Sequence, residues 1–124
     1  MSGTDYEKSI IALVCWQKMA PELYRGMSAY LNMLHNRAAK GWFQGSVYWN
    51  AVAVLTESEC KMHPDVRDPE FQKLLMGVDA MFAGKLSDKT DGALYCVPAS
   101  GSETIQGTVT AKIGQYLFFK HKES

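Results

Sequence analysis

The chain has 124 residues, 47% of them hydrophobic and 21% charged, and its formal net charge is zero. This size and composition are typical of one globular domain, so we predict a single domain over residues 1–124. A neutral chain lacks the long-range attraction to nucleic acid, so no nucleic-acid partner is expected. No run approaches the ~18 apolar residues of a membrane span, and the polar N-terminus lacks the pattern of a secretory signal, so we expect no membrane span and synthesis in the cytoplasm.

Two helices are predicted at the start of the chain. Thr4 and Glu7 form the T-x-x-E pattern of a capping box, and apolar residues at helical spacing predict a helix from about Asp5 to Lys18. A second apolar pattern predicts a helix from about Glu22 to Gly41, with the glycine as its C-terminal stop. Gly26 lies inside this second helix, where glycine costs about 1 kcal/mol relative to alanine. It therefore indicates a close approach of another backbone segment, or a position where a side chain would block something.

The middle of the chain contains an ambiguous segment, a polar loop and a third helix. The stretch from Trp42 to Leu55 is aromatic and then apolar, and its periodicity fits a short strand as well as a buried helix. The polar stretch that follows is predicted as a loop. Asp68 followed by Pro69 is typical of an N-cap and first helical turn, so a helix is predicted from there to Gly84.

Beyond the third helix the chain becomes rich in Asp, Ser, Thr and Gly. The short apolar run from Ala93 to Val97 predicts a strand or extended segment between a turn and a loop. In the last segment Val109, Ile113 and Leu117 fit helical spacing, whereas Gly114 and the Tyr-Leu-Phe-Phe run argue against a helix. We therefore predict a mainly α (α+β) fold with a short extended or β part in the second half.

Metal and nucleophile chemistry find little support in the residue pattern. The three cysteines, Cys15, Cys60 and Cys96, are odd in number, so we predict reduced thiols, with one bridge and one free thiol as the alternative. Cys60 and His63 form a lone C-x-x-H, whereas a structural zinc site needs about four ligands. Phosphate-cradling glycine motifs are missing from the sequence. We therefore predict no metal site and no cofactor.

Carboxylates are the remaining candidates for chemistry. Glu22 lies at the corner between the first two helices, Glu57 and Glu59 lie in the polar stretch, and Asp88 and Asp91 lie in the later turn. Carboxylates that converge on a groove would suit glycoside chemistry, in which an acid protonates the leaving oxygen. Their spacing alone favours ordinary roles at helix ends and in turns, and both interpretations stay open at this point.

Three segments, in this order, resemble patterns of a known family. They are "GMSAYLNMLHNRA", "FAGKLSDKTDGALYCVPA" and "KIGQYLFFK". Together they are similar to the SleB-like cell-wall hydrolases, a group of spore cortex-lytic enzymes and many phage-encoded relatives. The matching positions are Gly26, Asn36 and Arg37 in the first segment, Gly84, Asp88, Thr90, Gly92, Ala93 and Tyr95 in the second, and Ile113, Gly114 and Phe118 in the third.

The resemblance implies a lysozyme-like, mainly helical domain with a substrate groove. It implies cleavage of the MurNAc–GlcNAc bond of peptidoglycan by a lytic transglycosylase route, with one glutamate as the acid and no metal or cofactor. It also implies that Asn36 and Arg37 tie a helix to a loop, and that they contribute to substrate binding together with Asp88, Thr90 and Tyr95. The phage-encoded members imply action in a host cell or a phage particle.

The chain departs from the family at the catalytic acid. Counting back from Gly26, the family's acid position is Lys18, its second glutamate falls on Glu22, and its closing histidine is Tyr116. A lysine has an unperturbed pKa of about 10.4 and cannot supply a carboxylate to an oxocarbenium-like transition state. Two hypotheses follow. Either Glu22 acts as the acid, assisted by Glu57 or Glu59, or the chain is an inactive relative. Such a relative would bind a glycan strand or a protein partner, as a phage structural component or an inhibitor of a host protein.

Overall fold

The structure is a computed structural model that describes residues 4–57, 67–99 and 107–121. It is mainly helical with a small antiparallel sheet in the second half, as predicted. The helices are α1 Asp5–Met19, α2 Leu23–Ala39, α3 Val47–Glu57 and α4 Pro69–Phe82, with short 3-10 turns at Ala20–Glu22 and Trp42–Gly45. The strands are β1 Tyr95–Pro98, β2 Gly107–Ile113 and β3 Tyr116–His121, and they lie in the order β1-β3-β2. None of the helices over these ranges combines the length and apolar character of a membrane span.

The predicted helix ends are confirmed. The Thr4 hydroxyl accepts a hydrogen bond from the Glu7 backbone N–H, and the Glu7 carboxylate accepts one from the Thr4 N–H, which completes the capping box of α1. The Asp68 carboxylate caps α4 by accepting from the Glu70 N–H at 2.8 Å. Gly41 follows α2 with a φ of 93°, a left-handed conformation that glycine adopts without steric cost.

Helix α2 lies at the centre of the domain. Every residue from Gly26 to Leu34 is buried, because α1, α3 and α4 all pack against this helix and β1 and β2 also contact it. A helix that is buried on all sides must be apolar or have its polar groups satisfied, and most of this segment is apolar. The core around it includes Ile11, Val14, Leu74 and Phe118, all of them fully buried.

The ambiguous segment after α2 is helical. Trp42–Gly45 forms the short 3-10 turn, and α3 then begins at Val47. Ser46 marks the start of α3, since its hydroxyl accepts a hydrogen bond from the Trp49 N–H at 3.0 Å. The predicted polar loop is shorter than expected at its N-terminal side because α3 continues to Glu57; most of that loop lies outside the described residues.

The helical spacing read in the last segment was misleading, because this segment forms the hairpin of β2 and β3. Ile113 pairs with Tyr116, which leaves Gly114 and Gln115 as a two-residue turn. Gly114 has a φ of 59°, the conformation that a type II′ turn requires at its first central residue. A register shift between Val109 and Ala111 interrupts the alternation of buried and exposed residues, which obscured the strand period in the sequence.

One residue between α1 and α2 has a strained backbone. Leu23 has φ 60° and ψ −160°, a region that is almost exclusive to glycine and costs about 1–3 kcal/mol for other residues. Its side chain is 56% exposed, so little packing is lost when it is removed. A glycine at this position loses more conformational entropy on folding than leucine does, which lowers stability by about 0.5–1 kcal/mol. We expect Leu23→Gly to raise the free energy of unfolding by about 1 kcal/mol in chemical denaturation.

Leu23→Ala is the matched control for this prediction, because alanine removes the same exposed side chain but keeps the Cβ atom that causes the strain. It should leave stability unchanged or slightly lower. Equal stabilities of the two variants would show that the backbone at Leu23 is not strained.

Candidate functional site

A cleft lies between the helices and the sheet. Its volume is about 370 Å³, within the usual range of small-molecule sites. On α2 its lining residues follow one another at intervals of three and four, so they share one face of the helix. The residues that line it are Lys18 and Met19 of α1, Tyr30, Met33 and Arg37 of α2, Val54 of α3, Cys96 and Pro98 of β1, and Tyr116 of β3.

Lys18 lines this cleft from the last turn of α1. The helix dipole stabilises a cation in the last turn of a helix, which is an ordinary structural reason for a lysine at this position. Its side chain is nevertheless half-buried at the cleft, and within residues 4–57, 67–99 and 107–121 no carboxylate forms an ion pair with it. Lys18, which the resemblance aligns with an acid, therefore brings a cation to the cleft.

Arg37 provides the second cation of the cleft and is held from several sides. Its Nε donates a hydrogen bond to the Leu94 carbonyl at 2.8 Å. Its guanidinium lies 5.0 Å from the ring centroid of Trp42 and 5.8 Å from that of Tyr95, both within cation–π range. These contacts fix the plane of the guanidinium, and the bond to Leu94 uses only one of its three nitrogens.

The Cys96 thiol lines the cleft together with the two cations. Burial raises its pKa to about 12, although the positive charges of Arg37 and Lys18 both act in the opposite direction. At neutral pH the thiol is therefore protonated and a poor nucleophile. Cys96 and the buried Cys15 are both unbridged, in agreement with reduced thiols, whereas Cys60 lies outside the described residues.

Asn36 ties α2 to the loop that precedes β1. Its Nδ2 donates to Asp88 Oδ2 at 3.1 Å, to the Ala93 carbonyl at 3.1 Å and to the Thr90 hydroxyl at 3.3 Å. Asn36 is half-buried and Thr90 fully buried, so Thr90 supports the loop from inside. The tie between helix and loop is the one that the resemblance implies, while the contact of these residues with substrate stays a prediction.

Asp88 organises the same loop. One oxygen accepts from the Thr90 N–H at 2.8 Å and the Thr90 hydroxyl at 2.7 Å, and the other accepts from the Gly92 N–H at 2.8 Å. Burial on its own raises the pKa of this carboxyl, but the hydrogen bonds from Thr90, Gly92 and Asn36 outweigh it and lower the pKa below its usual range. Asp88 is thus an ionised acceptor that shapes the loop.

Glu22, the acid predicted from the sequence, is hydrogen-bonded to the hairpin turn. Its Oε1 accepts a hydrogen bond from the Gln115 N–H at 3.2 Å. Its Cβ and Cγ lie against Gly26, and its carboxylate lies against Gly114, at places where a Cβ atom on either glycine would collide. These contacts explain why positions 26 and 114 are glycines. They also connect the start of α2 to the hairpin, and we call this connection the Glu22 latch. The carboxylate is not among the groups that line the cleft.

The remaining candidates have mixed positions. Tyr95 stacks on Phe119 with ring centroids 5.2 Å apart and contacts Arg37, so it supports a cleft residue from behind. Tyr116, which the resemblance aligns with a histidine, lines the cleft. Tyr30, Cys96 and Pro98 also line it and were not predicted. Cys96 and Pro98 reach the cleft only because β1 packs against α2, a contact between distant parts of the chain. The Glu59 and His63 positions lie outside the described residues, and the side chain of Glu57 is not described.

No group of three potential metal ligands is present within the part of the chain that the structure describes. Neither a protein-family model, nor a curated protein, nor a solved structure matches this chain.

Proposed function

We propose that this chain is a peptidoglycan-hydrolase-like protein that binds a peptidoglycan glycan strand in the cleft without cleaving it. The observation that carries the proposal is the position of Lys18. This residue lines the cleft at the place that corresponds to the family's acid, and within the described residues no carboxylate lines the cleft. The fold elements that carry the family-like segments, α2, the loop before β1 and the hairpin, all border or support the same cleft.

The charge of the cleft argues against glycoside cleavage there. Lytic cleavage needs an acid that protonates the leaving oxygen, and a nearby carboxylate stabilises the positive charge that develops on the sugar. Lys18 and Arg37 are cations, so they repel that developing charge. The Cys96 thiol, with its pKa raised to about 12 by burial, is too weak an acid to replace a carboxyl group.

The alternative in which Glu22 acts as the acid has a structural obstacle. Its carboxylate is engaged by the Gln115 N–H, and it packs between Gly26 and Gly114. To act on a strand in the cleft it would have to leave this site, and catalytic groups that are displaced by about 1 Å already lose ~10²-fold in rate. We therefore assign Glu22 a structural role in the proposed function.

The proposal is tested by co-sedimentation with purified sacculi, followed by analysis of the supernatant for released muropeptides. We expect the chain to pellet with sacculi and to release none. Glu22→Gln and the unmodified chain should behave alike in release. A chain that releases muropeptides, with the release abolished by Glu22→Gln, would contradict the proposal in favour of the enzyme hypothesis. A folded chain that neither binds nor cleaves sacculi would contradict it in favour of a protein partner.

A further inference from the structure

We propose that the cleft recognises a carboxylate on its ligand, held between the Lys18 ammonium and the Arg37 guanidinium. The inference rests on the proposed function for the source of that carboxylate, a peptidoglycan strand. Recognition of the carboxylate depends on Lys18, a cleft residue at which this chain departs from the family pattern.

Two cations share the cleft. Lys18 and Arg37 line it from α1 and α2, and the positive charge of each lowers the pKa of the Cys96 thiol that lines it with them. The nearest carboxylate in the sequence, Glu22, binds the Gln115 N–H instead. Within the described ranges neither cation has a carboxylate partner, although both side chains are half-buried. An anion that enters the cleft supplies the missing partner.

The geometry of the Arg37 side chain also favours a carboxylate. Because Nε donates to the Leu94 carbonyl and the ring faces of Trp42 and Tyr95 flank the guanidinium, its plane is fixed before any ligand binds. The terminal Nη groups remain for other acceptors. A planar fork of N–H donors matches the two oxygens of a carboxylate, and preorganisation reduces the entropy lost on binding.

The rest of the cleft lining is partly aromatic and partly apolar. Tyr30 and Tyr116 contribute phenol groups and rings, while Met19, Met33 and Val54 contribute the apolar part of the lining. This combination suits an amino sugar, which has apolar ring faces and polar edges, better than it suits a bare inorganic anion. The ligand that fits is a sugar or a short peptide that carries one carboxylate.

The test is a titration of the full chain, followed by NMR, with N-acetylmuramic acid and its neutral methyl ester. We expect the acid to bind at least about tenfold more tightly than the ester, since one charge-assisted hydrogen bond contributes roughly that factor. Lys18→Met should remove the preference, Lys18→Arg should retain it, and it should weaken as ionic strength rises. Lys85→Met is the matched control, because Lys85 is exposed beyond α4 and does not line the cleft.

Equal binding of the acid and the ester by the unmodified chain would overturn the inference, and so would a preference that survives in a folded Lys18→Met variant. A free stem peptide serves as a third ligand, because peptidoglycan carries carboxylates on its peptides as well as on its sugars. Tighter binding of the peptide than of N-acetylmuramic acid would assign the carboxylate to the peptide. If sacculi bind but acid and ester do not differ, only this inference fails; if the acid is preferred but sacculi do not bind, only the proposed function fails.

Discussion

Gly26→Ala is expected to lower the free energy of unfolding by about 2–3 kcal/mol, although alanine is favoured over glycine by about 1 kcal/mol in most helices. The reason is local, because the added Cβ atom would collide with Cβ and Cγ of Glu22 and would also contact Met19 Cβ at 3.6 Å. Pushing Glu22 away also breaks its hydrogen bond to Gln115, so the hairpin loses its attachment to the start of α2. Urea denaturation measures the loss.

Two controls separate this collision from general effects of alanine. Gly77 is also buried in a helix, but an added Cβ would meet only the flexible end of Tyr24, whose hydroxyl lies 3.1 Å away. Gly77→Ala should therefore change stability by less than about 1 kcal/mol. In a Glu22→Gly background the colliding atoms are missing, and Gly26→Ala should become nearly neutral. Full stability of Gly26→Ala in the unmodified background would contradict the Glu22 latch.

Asp88→Asn is expected to destabilise the domain by about 2 kcal/mol at neutral pH, a figure already reduced for the partial exposure of the carboxylate. Both carboxylate oxygens accept hydrogen bonds, from Thr90 on one side and from Gly92 and Asn36 on the other. An amide keeps one accepting oxygen and turns its NH₂ group toward N–H donors. Asp91→Asn is the matched control, since Asp91 is exposed and its φ of 54° is well tolerated by asparagine.

The Asp88 prediction has a defined pH dependence. Because hydrogen bonds lower the pKa of Asp88 below its ordinary value of 3.8, the native state favours the ionised form more than the unfolded state does. The stabilisation is fully present above the unfolded pKa and is lost as pH falls through the native pKa, which lies below 3.8. The stability difference between the unmodified chain and Asp88→Asn should therefore be constant from neutral pH to about pH 5 and shrink below pH 4. A difference that does not change with acidification would contradict this role.

Local signals predicted the helices well because they act within one turn. The Thr4 capping box, the Asp68-Pro69 start and the Gly41 stop each define a helix end through neighbouring atoms. The segment after Trp42 was ambiguous because its apolar residues fit both the two-residue period of a strand and the 3.6-residue period of a helix. Only packing decides between these two structures. The hairpin was misread because a register shift near Thr110 breaks the two-residue alternation that identifies strands. Gly114 followed by a polar residue was the available signal for its turn.

The candidate site was predictable only in part. The family resemblance, counted back from Gly26, singled out Lys18, and the structure places Lys18 in the cleft. The resemblance also suggested Glu22 as a replacement acid, whereas its contacts with Gln115 and Gly114 are long-range and cannot be read from the local sequence. Tyr116 lines the cleft only because β3 pairs with β1, a contact that no local pattern encodes.

Mass spectrometry of sacculi incubated with the purified chain shows whether the cleft binds a glycan strand without cutting it. We expect the chain to remain bound to the sacculi, and the supernatant to contain no anhydro-muropeptides above the level of a buffer control. Anhydro-muropeptides that accumulate with the unmodified chain and disappear with Glu22→Gln would contradict the proposed function and restore Glu22 as the catalytic acid.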